Sequence, residues 1–214
     1  MRLDRIEAEE VGKRFGRRVV FTRLSASFHG GEVVAITGRN GSGKSTLLRI
    51  LAGLLTPSSG RVTAYSNGSA MPSDAITPRT GFVAPYLNVY ESFSARENLE
   101  FIARARGLPR PADRIAGVLG RVGLDAADEA PVSTYSSGMT QRVRLACAVL
   151  HEPAVLMLDE PTTNLDPAGR NVVRQMIADH SRGSGLVIVA TNDAAEAALC
   201  DREIRITDFA FSTR

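Results

Sequence analysis

Apolar residues along this chain follow two patterns, continuous runs and runs with helical spacing. Continuous apolar runs that stop on glycine or on small polar residues predict buried strands. Such runs occur at 33–37, 154–158 and 186–190. Apolar residues that recur every three or four positions predict helices. This spacing occurs at 45–55, 111–122, 168–181 and 194–200. Strands alternating with helices predict a mostly parallel sheet that is covered on both faces.

The first and middle parts of the chain have other patterns. Short β-rich runs predict further strands at 6–11, 19–24, 25–28, 61–65 and 80–84. The middle segment, 85–150, is mostly helical in its spacing. Ser94 and Glu97 have the spacing of a capping box and predict the start of one of its helices.

Composition narrows the class of protein. The 214 residues suggest one domain, and 43% apolar and 23% charged residues are ordinary for a globular protein. The net charge is +3, and nearly all basic residues are arginine, with only Lys13 and Lys44 as lysines. Cys147 and Cys200 match no metal or redox spacing, which favours a reducing compartment. We find no apolar signal segment at the N-terminus and no run near the ~20 residues that span a bilayer.

The segment GRNGSGKST, at 38–46, carries the strongest chemical signal. It matches the phosphate-binding pattern G-x-x-x-x-G-K-[ST], with a predicted strand before it and a predicted helix after it. The glycines let successive backbone N–H groups face a phosphate chain, Lys44 reaches the β- and γ-phosphates, and Ser45 offers a hydroxyl to Mg²⁺. The alternative is a glycine-rich turn that contains Gly-Lys-Ser by chance, and the flanking elements argue against it.

Two further segments complete a candidate site. AVLMLDE, at 154–160, ends a predicted strand on Asp159, placed to hold Mg²⁺, and on Glu160, placed to polarise a water. Without a nearby phosphate loop, the simpler interpretation would be two solvated acids. YSSGM, at 135–139, precedes a predicted helix, so Ser136 and Gly138 are either a helix cap or a second phosphate cradle. Such a cradle would serve a nucleotide carried by another copy of the chain.

The order of these motifs resembles the nucleotide-binding subunits of ABC transporters, over essentially the whole chain. GRNGSGKST looks like Walker A, AVLMLDE like Walker B and YSSGM like the signature motif, and TNLD at 163–166 matches the D-loop. Phe15 stands where the family places an aromatic residue that stacks on adenine. The resemblance implies that ATP is bound by Gly38, Asn40, Gly41, Ser42, Gly43, Lys44, Ser45 and Thr46.

The resemblance also implies a fold and an assembly. We expect one α/β domain over 1–214, with a P-loop NTPase core of mostly parallel sheet. An antiparallel β subdomain would occupy about 1–32 and 60–84, and a helical subdomain about 85–150. Two copies, or this chain and a related ATPase, would form a head-to-tail dimer. Each ATP would then lie between Lys44 of one subunit and Ser136 of the other.

The function implied is that of an ATPase that drives a separate integral membrane permease, with export as the favoured direction. The cofactors would be ATP and Mg²⁺, with the metal held by Ser45 and Asp159. The protein would be cytoplasmic and peripheral at the cytoplasmic face of the membrane. The transported substrate is not encoded in this chain, because its pocket would lie in the permease.

Three positions depart from the family pattern. Ser137 and Met139 replace the usual Gly and Gln of the signature, a serine-rich version that resembles bacterial exporter ATPases. Pro85 falls where the family has its Q-loop glutamine, and proline offers no side-chain contact to metal or water. Asn192 stands where the family has a switch histidine, so the expected contact to the γ-phosphate is a neutral hydrogen bond.

Alternative functions remain open. The short chain with no C-terminal extension favours a haem exporter subunit of cytochrome c maturation, and Pro85 and Asn192 suggest a nucleotide-gated module with little turnover. The basic run KRFGRR, at 13–18, is too short to favour nucleic-acid binding. The aromatic segment PYLNVYESF, at 85–93, either packs inside the helical subdomain or forms a surface for a membrane partner.

Overall fold

The computed structural model describes residues 3–72 and 74–210. The strands, in chain order, are β1 (Arg5–Phe15), β2 (Arg18–His29), β3 (Val33–Thr37), β4 (Ser59–Ser66), β5 (Ser69–Ala70), β6 (Thr80–Val83), β7 (Val155–Asp159), β8 (Leu186–Thr191) and β9 (Arg202–Arg205). The helices are α1 (Lys44–Leu51), α2 (Ala95–Ala105), α3 (Pro111–Arg121), α4 (Ser137–Val149), α5 (Pro167–Arg182) and α6 (Ala194–Ala197).

The main sheet is parallel and has the strand order β6-β7-β8-β3-β9. Every residue of β7 and β8 is buried. A parallel strand that is covered on both faces has no polar face, which explains the continuous apolar runs of the sequence. The predicted α/β class with a mostly parallel sheet is confirmed.

The two faces of this sheet pack against different layers. Neighbouring residues of a strand point to opposite faces, so Met157 belongs to one apolar cluster and Leu158 to the other. The first cluster joins the parallel sheet to α1 and to strands β1 and β2. The second joins it to α2, α3, α4 and α5. Helix α1 and helices α2 to α5 are therefore packed on opposite sides of one sheet.

A second sheet is antiparallel and has the order β2-β1-β4-β5. Two of our expectations are corrected here. The runs at 19–24 and 25–28 form one continuous strand, β2. Thr80–Val83, which we expected in the antiparallel subdomain, pairs parallel to β7 in the main sheet. Gly81 allows this placement, because a Cβ atom there would collide with the backbone of Ala148 in α4.

The helical segment is close to the prediction, and the C-terminal part is not. The capping box of α2 is confirmed, since Ser94 Oγ accepts from Glu97 N at 3.2 Å and Glu97 Oε2 accepts from Ser94 N at 2.8 Å. The helix expected at 194–200 is wrong in length, because α6 ends at Ala197. The Asp201 carboxylate accepts from Val33 N at 2.8 Å and leads the chain into β9, a strand that the sequence pattern did not predict.

Within the described ranges, no helix combines the length and the apolar character that crossing a membrane requires.

Candidate ATP-binding site

The loop between β3 and α1 has a backbone that only glycine adopts readily. Gly38 has a φ of 151° and Gly43 a φ of 108°. A Cβ atom at Gly43 would lie 2.5 Å from Val20 Cγ1, and one at Gly38 would lie 2.7 Å from Ser42 Oγ. Both distances are closer than real Cβ atoms approach a neighbour. The two glycines therefore allow the tight loop that brings the chain into α1.

The N-terminus of α1 is open to an anion. Its N-cap, Gly43, supplies no side-chain hydrogen bond, and its first turn contains no acidic residue. The first N–H groups of a helix lack intrahelical partners, and the helix dipole places positive charge there. A phosphate at this end would therefore be bound by backbone donors.

Lys44 connects the loop to the end of β7. Its side chain is buried, and Nζ donates to the Gly38 carbonyl at 2.9 Å. The same Nζ lies 3.4 Å from Oε1 of Glu160. The first residue of α1 thus places a compact positive charge between the glycine-rich loop and an acidic side chain.

Asp159, the last residue of β7, is suited to bind a metal ion. It is 2% exposed, and its Oδ1 has no hydrogen-bond partner among the described residues. Burial raises the pKa of its carboxyl, while a hydrogen bond with Ser45 and the charge of Lys44 oppose that shift. Carboxylate and hydroxyl oxygens suit Mg²⁺, and a buried carboxylate oxygen is stabilised by a cation. Asp159 and Ser45 together therefore fit Mg²⁺.

Glu160 is turned out of the sheet by an unusual backbone conformation. Its φ is 50°, in the left-handed region that non-glycine residues rarely adopt. Its N–H donates to the Ala190 carbonyl at 2.9 Å, which ties this turn to β8. The side chain is 24% exposed, so water can reach its carboxylate. A carboxylate with these properties can accept a proton from a water molecule.

Asn192 follows the last residue of β8. Its Nδ2 donates to Oδ1 of Asn40 in the Walker A loop at 3.0 Å, and both side chains are exposed. The neighbouring Thr191 is fully buried, so the strand holds the amide at the sheet edge. The structure thus brings Asn192 to the Walker A loop, where its side chain is an uncharged donor.

Ser136 and Gly138 lie elsewhere in this chain. Ser136 is the N-cap of α4, and its Oγ accepts from Met139 N at 3.3 Å. A Cβ atom at Gly138 would be nearest to Leu165 and Asn164, in the D-loop. No hydrogen bond among the described residues joins Ser136 or Gly138 to the Walker A loop. Within one chain, the role that the geometry gives to Ser136 is that of a helix cap.

Phe15 lies at the end of β1, beside the turn to β2. Its side chain is 50% exposed, so a base can reach the ring. Lys13 Nζ lies 5.0 Å from the ring centroid and donates to the Thr56 carbonyl at 2.7 Å. The lysine thus approaches the ring and ties this hairpin to the turn after α1.

Pro85 is exposed and comes two residues after β6. The polar contact in this region comes from its neighbour Tyr86, whose hydroxyl accepts from Arg49 Nε at 2.8 Å. Arg49 lies on α1, so this contact connects the P-loop helix to the segment after β6. Sequence patterns do not reveal this pair, because a tyrosine and an arginine 37 positions apart form no motif.

Glu196 is a second residue that sequence reasoning missed. Its Oε1 is buried without a hydrogen-bond partner among the described residues. Burial raises the pKa of its carboxyl, the hydroxyls of Thr191 and Thr162 lower it, and Glu160 raises it further. An acidic residue in the first turn of a helix is usually interpreted as an exposed complement to the helix dipole. The pattern therefore gave no sign that this carboxyl lies near the Walker B acid.

Comparison with known proteins gives a consistent result. The sequence profile of the ABC transporter family matches residues 21–163. A cytochrome c biogenesis ATP-binding export protein, CcmA 2 of Cupriavidus metallidurans, is 35% identical over 200 residues, which are 92% of this chain and 94% of that protein. The Nod factor export ATP-binding protein I of Sinorhizobium fredii is 35% identical over 202 residues, which are 92% of this chain but 58% of that longer protein.

Solved structures agree at the level of the fold. An ABC transporter ATP-binding protein from Pyrococcus furiosus superposes with a TM-score of 0.82 at 24% identity, covering 97% of this chain and 100% of the other. A dimeric bacterial ABC transporter cassette superposes with a TM-score of 0.81 at 25% identity, covering 94% of this chain and 93% of the other. A related dimer, bound to ADP and phosphate after hydrolysis, superposes equally well, with a TM-score of 0.81.

Proposed function

The chain belongs to the ABC transporter family, and on that basis we propose that it is the ATP-hydrolysing subunit that drives a separate membrane permease in the direction of export. One observation carries this proposal. Lys44, Asp159 and Glu160 meet at the carboxyl edge of the parallel sheet, beside a helix N-terminus. This combination supplies phosphate binding, a metal ligand and a proton acceptor in one place.

The proposed roles follow from these positions. The loop N–H groups and Lys44 hold the β- and γ-phosphates of ATP, and Phe15 stacks on the adenine. Asp159 and Ser45 hold Mg²⁺, which neutralises charge on the phosphates when it is bound. Glu160 orients the attacking water and accepts its proton. Asn192 donates a hydrogen bond toward the γ-phosphate, in place of its present partner Asn40.

The second phosphate cradle requires a second subunit. We propose a head-to-tail dimer, either of two copies or with a related ATPase, in which Ser136 and Gly138 of one subunit face the ATP held by Lys44 of the other. Support comes from the N-terminus of α4, whose first turn holds no acid, and from the dimeric relative. The division into an antiparallel β subdomain, a helical subdomain and a P-loop core within one domain of residues 1–214 is part of this proposal. Its antiparallel part ends before β6.

The names of the relatives support export. The Nod factor relative and CcmA 2 are both named as export proteins. We place the protein at the cytoplasmic face of the membrane, bound to its permease, with no role in nucleic-acid binding. A second candidate function is the export step of cytochrome c biogenesis, with haem as the cargo. It is favoured by CcmA 2, because the match covers 94% of that relative's length.

The experiment that tests the function has two parts. Pull-down of the full chain from native membranes should recover an integral membrane permease. ATP turnover should then be measured for the chain alone and with that permease in lipid vesicles, and the permease is expected to increase it. Turnover that stays near zero in both conditions would favour instead a nucleotide-gated module, which Pro85 and Asn192 also suggest.

Asn192 allows a graded test of the site. Asn192→Ala removes a neutral hydrogen bond worth about 1 kcal/mol, so turnover should fall roughly 5-fold to 10-fold. Asn192→His should raise the basal rate, because a charged donor binds phosphate more strongly. It should also introduce a pH dependence near a histidine pKa of about 6.5, absent from the parent. The measurement is a pH–rate profile of the three proteins. If the alanine variant is as active as the parent, residue 192 is only the polar end of a strand.

A further inference from the structure

The position of Glu160 depends on contacts made by its neighbours. Its φ of 50° lies in the left-handed region, and a non-glycine residue stays there only where surrounding contacts hold it. On one side, its N–H donates to the Ala190 carbonyl of β8 at 2.9 Å. On the other side, the chain continues through Pro161 and Thr162 into the D-loop. The contacts of these two residues therefore help to set the direction of the Glu160 carboxylate.

Glu196 connects Thr162 to the end of β8. The hydroxyls of Thr162 and Thr191 donate to its carboxyl. Thr191 is the fully buried last residue of β8, and its Oγ1 also accepts from Asp193 N at 3.0 Å. A hydroxyl has one donor and two acceptor sites, so Thr191 can form both bonds at once. One carboxylate thus joins the segment after β7 to the end of β8.

The short helix α6 turns Glu196 inward. Its N-cap, Asp193, accepts from Ala195 N at 2.8 Å, which starts the helix directly after β8. Thr162 and Glu196 line the same cavity, between α5 and α6. Oε1 of Glu196 is buried and has no hydrogen-bond partner among the described residues. Because an unpaired buried carboxylate oxygen is unfavourable for folding, its presence beside the Walker B segment indicates a role in the site.

The segment after Glu160 is also fixed by a second helix. Gln141 of α4 is 6% exposed, and its Nε2 donates to the Pro161 carbonyl at 3.3 Å. The two residues that follow Glu160 are thus bonded to different helices, Pro161 to α4 and Thr162 to α6. Since the bond to Pro161 uses a backbone atom, the bond to Thr162 is the one that a side-chain substitution within the segment can remove.

We propose that Glu196 is a positioning residue for ATP hydrolysis, which holds the segment after Glu160 against β8 so that the Glu160 carboxylate faces the attacking water. Glu196 acts through Glu160 and does not touch the nucleotide. This inference rests on the role of proton acceptor that we proposed for Glu160. Among the described residues, no hydrogen bond joins Glu196 to the Walker A loop. Loss of Glu196 should therefore slow the chemical step and leave ATP binding unchanged.

Substitution of Glu196 in the full chain tests the proposal. Glu196→Ala should lower kcat about 10-fold to 100-fold, the range expected when a reacting group is misplaced by about 1 Å. The KM and the equilibrium affinity for ATP should stay at the parent values. Glu196→Gln keeps an acceptor oxygen, but a neutral one, so kcat should fall only about 5-fold. Rates are expressed per ATP-binding site, so that a misfolded fraction of the protein does not lower kcat.

The matched control is Asp113→Ala. Asp113 is an exposed acid in the first turn of α3, the same place in a helix that Glu196 has in α6. If Glu196 only complemented a helix dipole, the two alanine variants would have equal effects. We expect parent-like turnover for Asp113→Ala alone.

Two further sets of variants distinguish positioning from a general loss of structure. Thr162→Val removes the hydroxyl and should lower kcat, whereas Thr162→Ser keeps a hydroxyl and should recover the rate. In a protein that already carries Glu160→Gln, adding Glu196→Ala should change the residual turnover less than about 2-fold, since no proton acceptor is left to position. The inference is overturned if Glu196→Ala acts by raising the KM for ATP, or if it slows the Glu160→Gln protein as much as it slows the parent.

The results also separate this inference from the proposed function. If Glu160→Gln loses turnover while Glu196→Ala and Asp113→Ala both match the parent, the positioning role is wrong and the proposed function stands. If Glu160→Gln hydrolyses ATP at the parent rate, Glu160 is not the proton acceptor, and the positioning role is wrong as well.

Discussion

Glu160→Gln is expected to reduce ATP turnover by about 10²-fold to 10⁴-fold while ATP binding is retained. The substitution keeps the shape of a side chain that lies 3.4 Å from Lys44 Nζ, but it removes the proton acceptor. ATP affinity should not fall. The neutral amide of the variant forms no ion pair with the Lys44 ammonium, so Lys44 stays available to the phosphates. Since ATP persists at the site, the variant should also accumulate as an ATP-dependent dimer. Single-turnover hydrolysis, nucleotide binding and size exclusion at saturating Mg-ATP measure the three effects.

The matched control is Glu152→Gln, an exposed glutamate that also has a positive φ, of 52°, and pairs with Arg114. This control should turn over ATP at the parent rate. Adding Ser136→Ala to Glu160→Gln should loosen the trapped dimer, because it removes one hydroxyl of the second phosphate cradle. A Glu160→Gln protein that stays monomeric at high concentration would contradict the two-cradle dimer. Parent-like turnover would remove Glu160 from the chemistry.

Lys44→Arg is expected to lower ATP affinity or turnover by about 100-fold, although the positive charge is kept. Lys44 is 5% exposed, and its Nζ fits between the Gly38 carbonyl and the Glu160 carboxylate. A planar guanidinium is larger than an ammonium and holds its donors in a fixed fork, so it cannot occupy the same space. Equilibrium binding of ATP and steady-state turnover provide the measurement.

The other lysine supplies the control for this experiment. Lys13 contacts the Phe15 ring and the Thr56 carbonyl, and an arginine can make both contacts at this partly exposed position. Lys13→Arg should therefore change ATP affinity only slightly. If Lys44→Arg is equally mild, the glycine-rich loop does not hold phosphate in the way we propose.

The elements that were predicted correctly are those whose formation depends on residues that are close together in the sequence. Strands β3, β7 and β8 are buried on both faces, and that burial requires the continuous apolar runs from which they were predicted. Ser94 and Glu97 form the capping box of α2 because both partners lie within one turn. The phosphate loop is likewise contiguous in sequence, so its residue types at fixed spacing were enough to place Lys44 beside a helix N-terminus.

The errors concern contacts between distant parts of the chain. The residues of β6 do not indicate whether Thr80–Val83 pairs with β7 or with the antiparallel sheet, and the structure shows that it pairs with β7. Strand β9 is charged at three of four positions, and it pairs in parallel with β3, next to the bond between Asp201 and Val33, 168 positions away. The burial of Glu196 beside Thr162 and Thr191 has the same origin. Such partners are selected by the packed fold, and a pattern along the chain does not contain them.

The division of the parallel sheet into two apolar faces has a consequence for divergence among relatives. Met157 faces the layer that holds helix α1, and Leu158 faces the layer of helices α2, α3, α4 and α5. We therefore expect adjacent codons of one strand to evolve under separate constraints, one set by the layer of helix α1 and one by the layer of helices α2 to α5. On this expectation the helical layer diverges among relatives while the layer of helix α1 is held constant. A comparison of substitution rates at alternate positions of β7 and β8 would test this expectation.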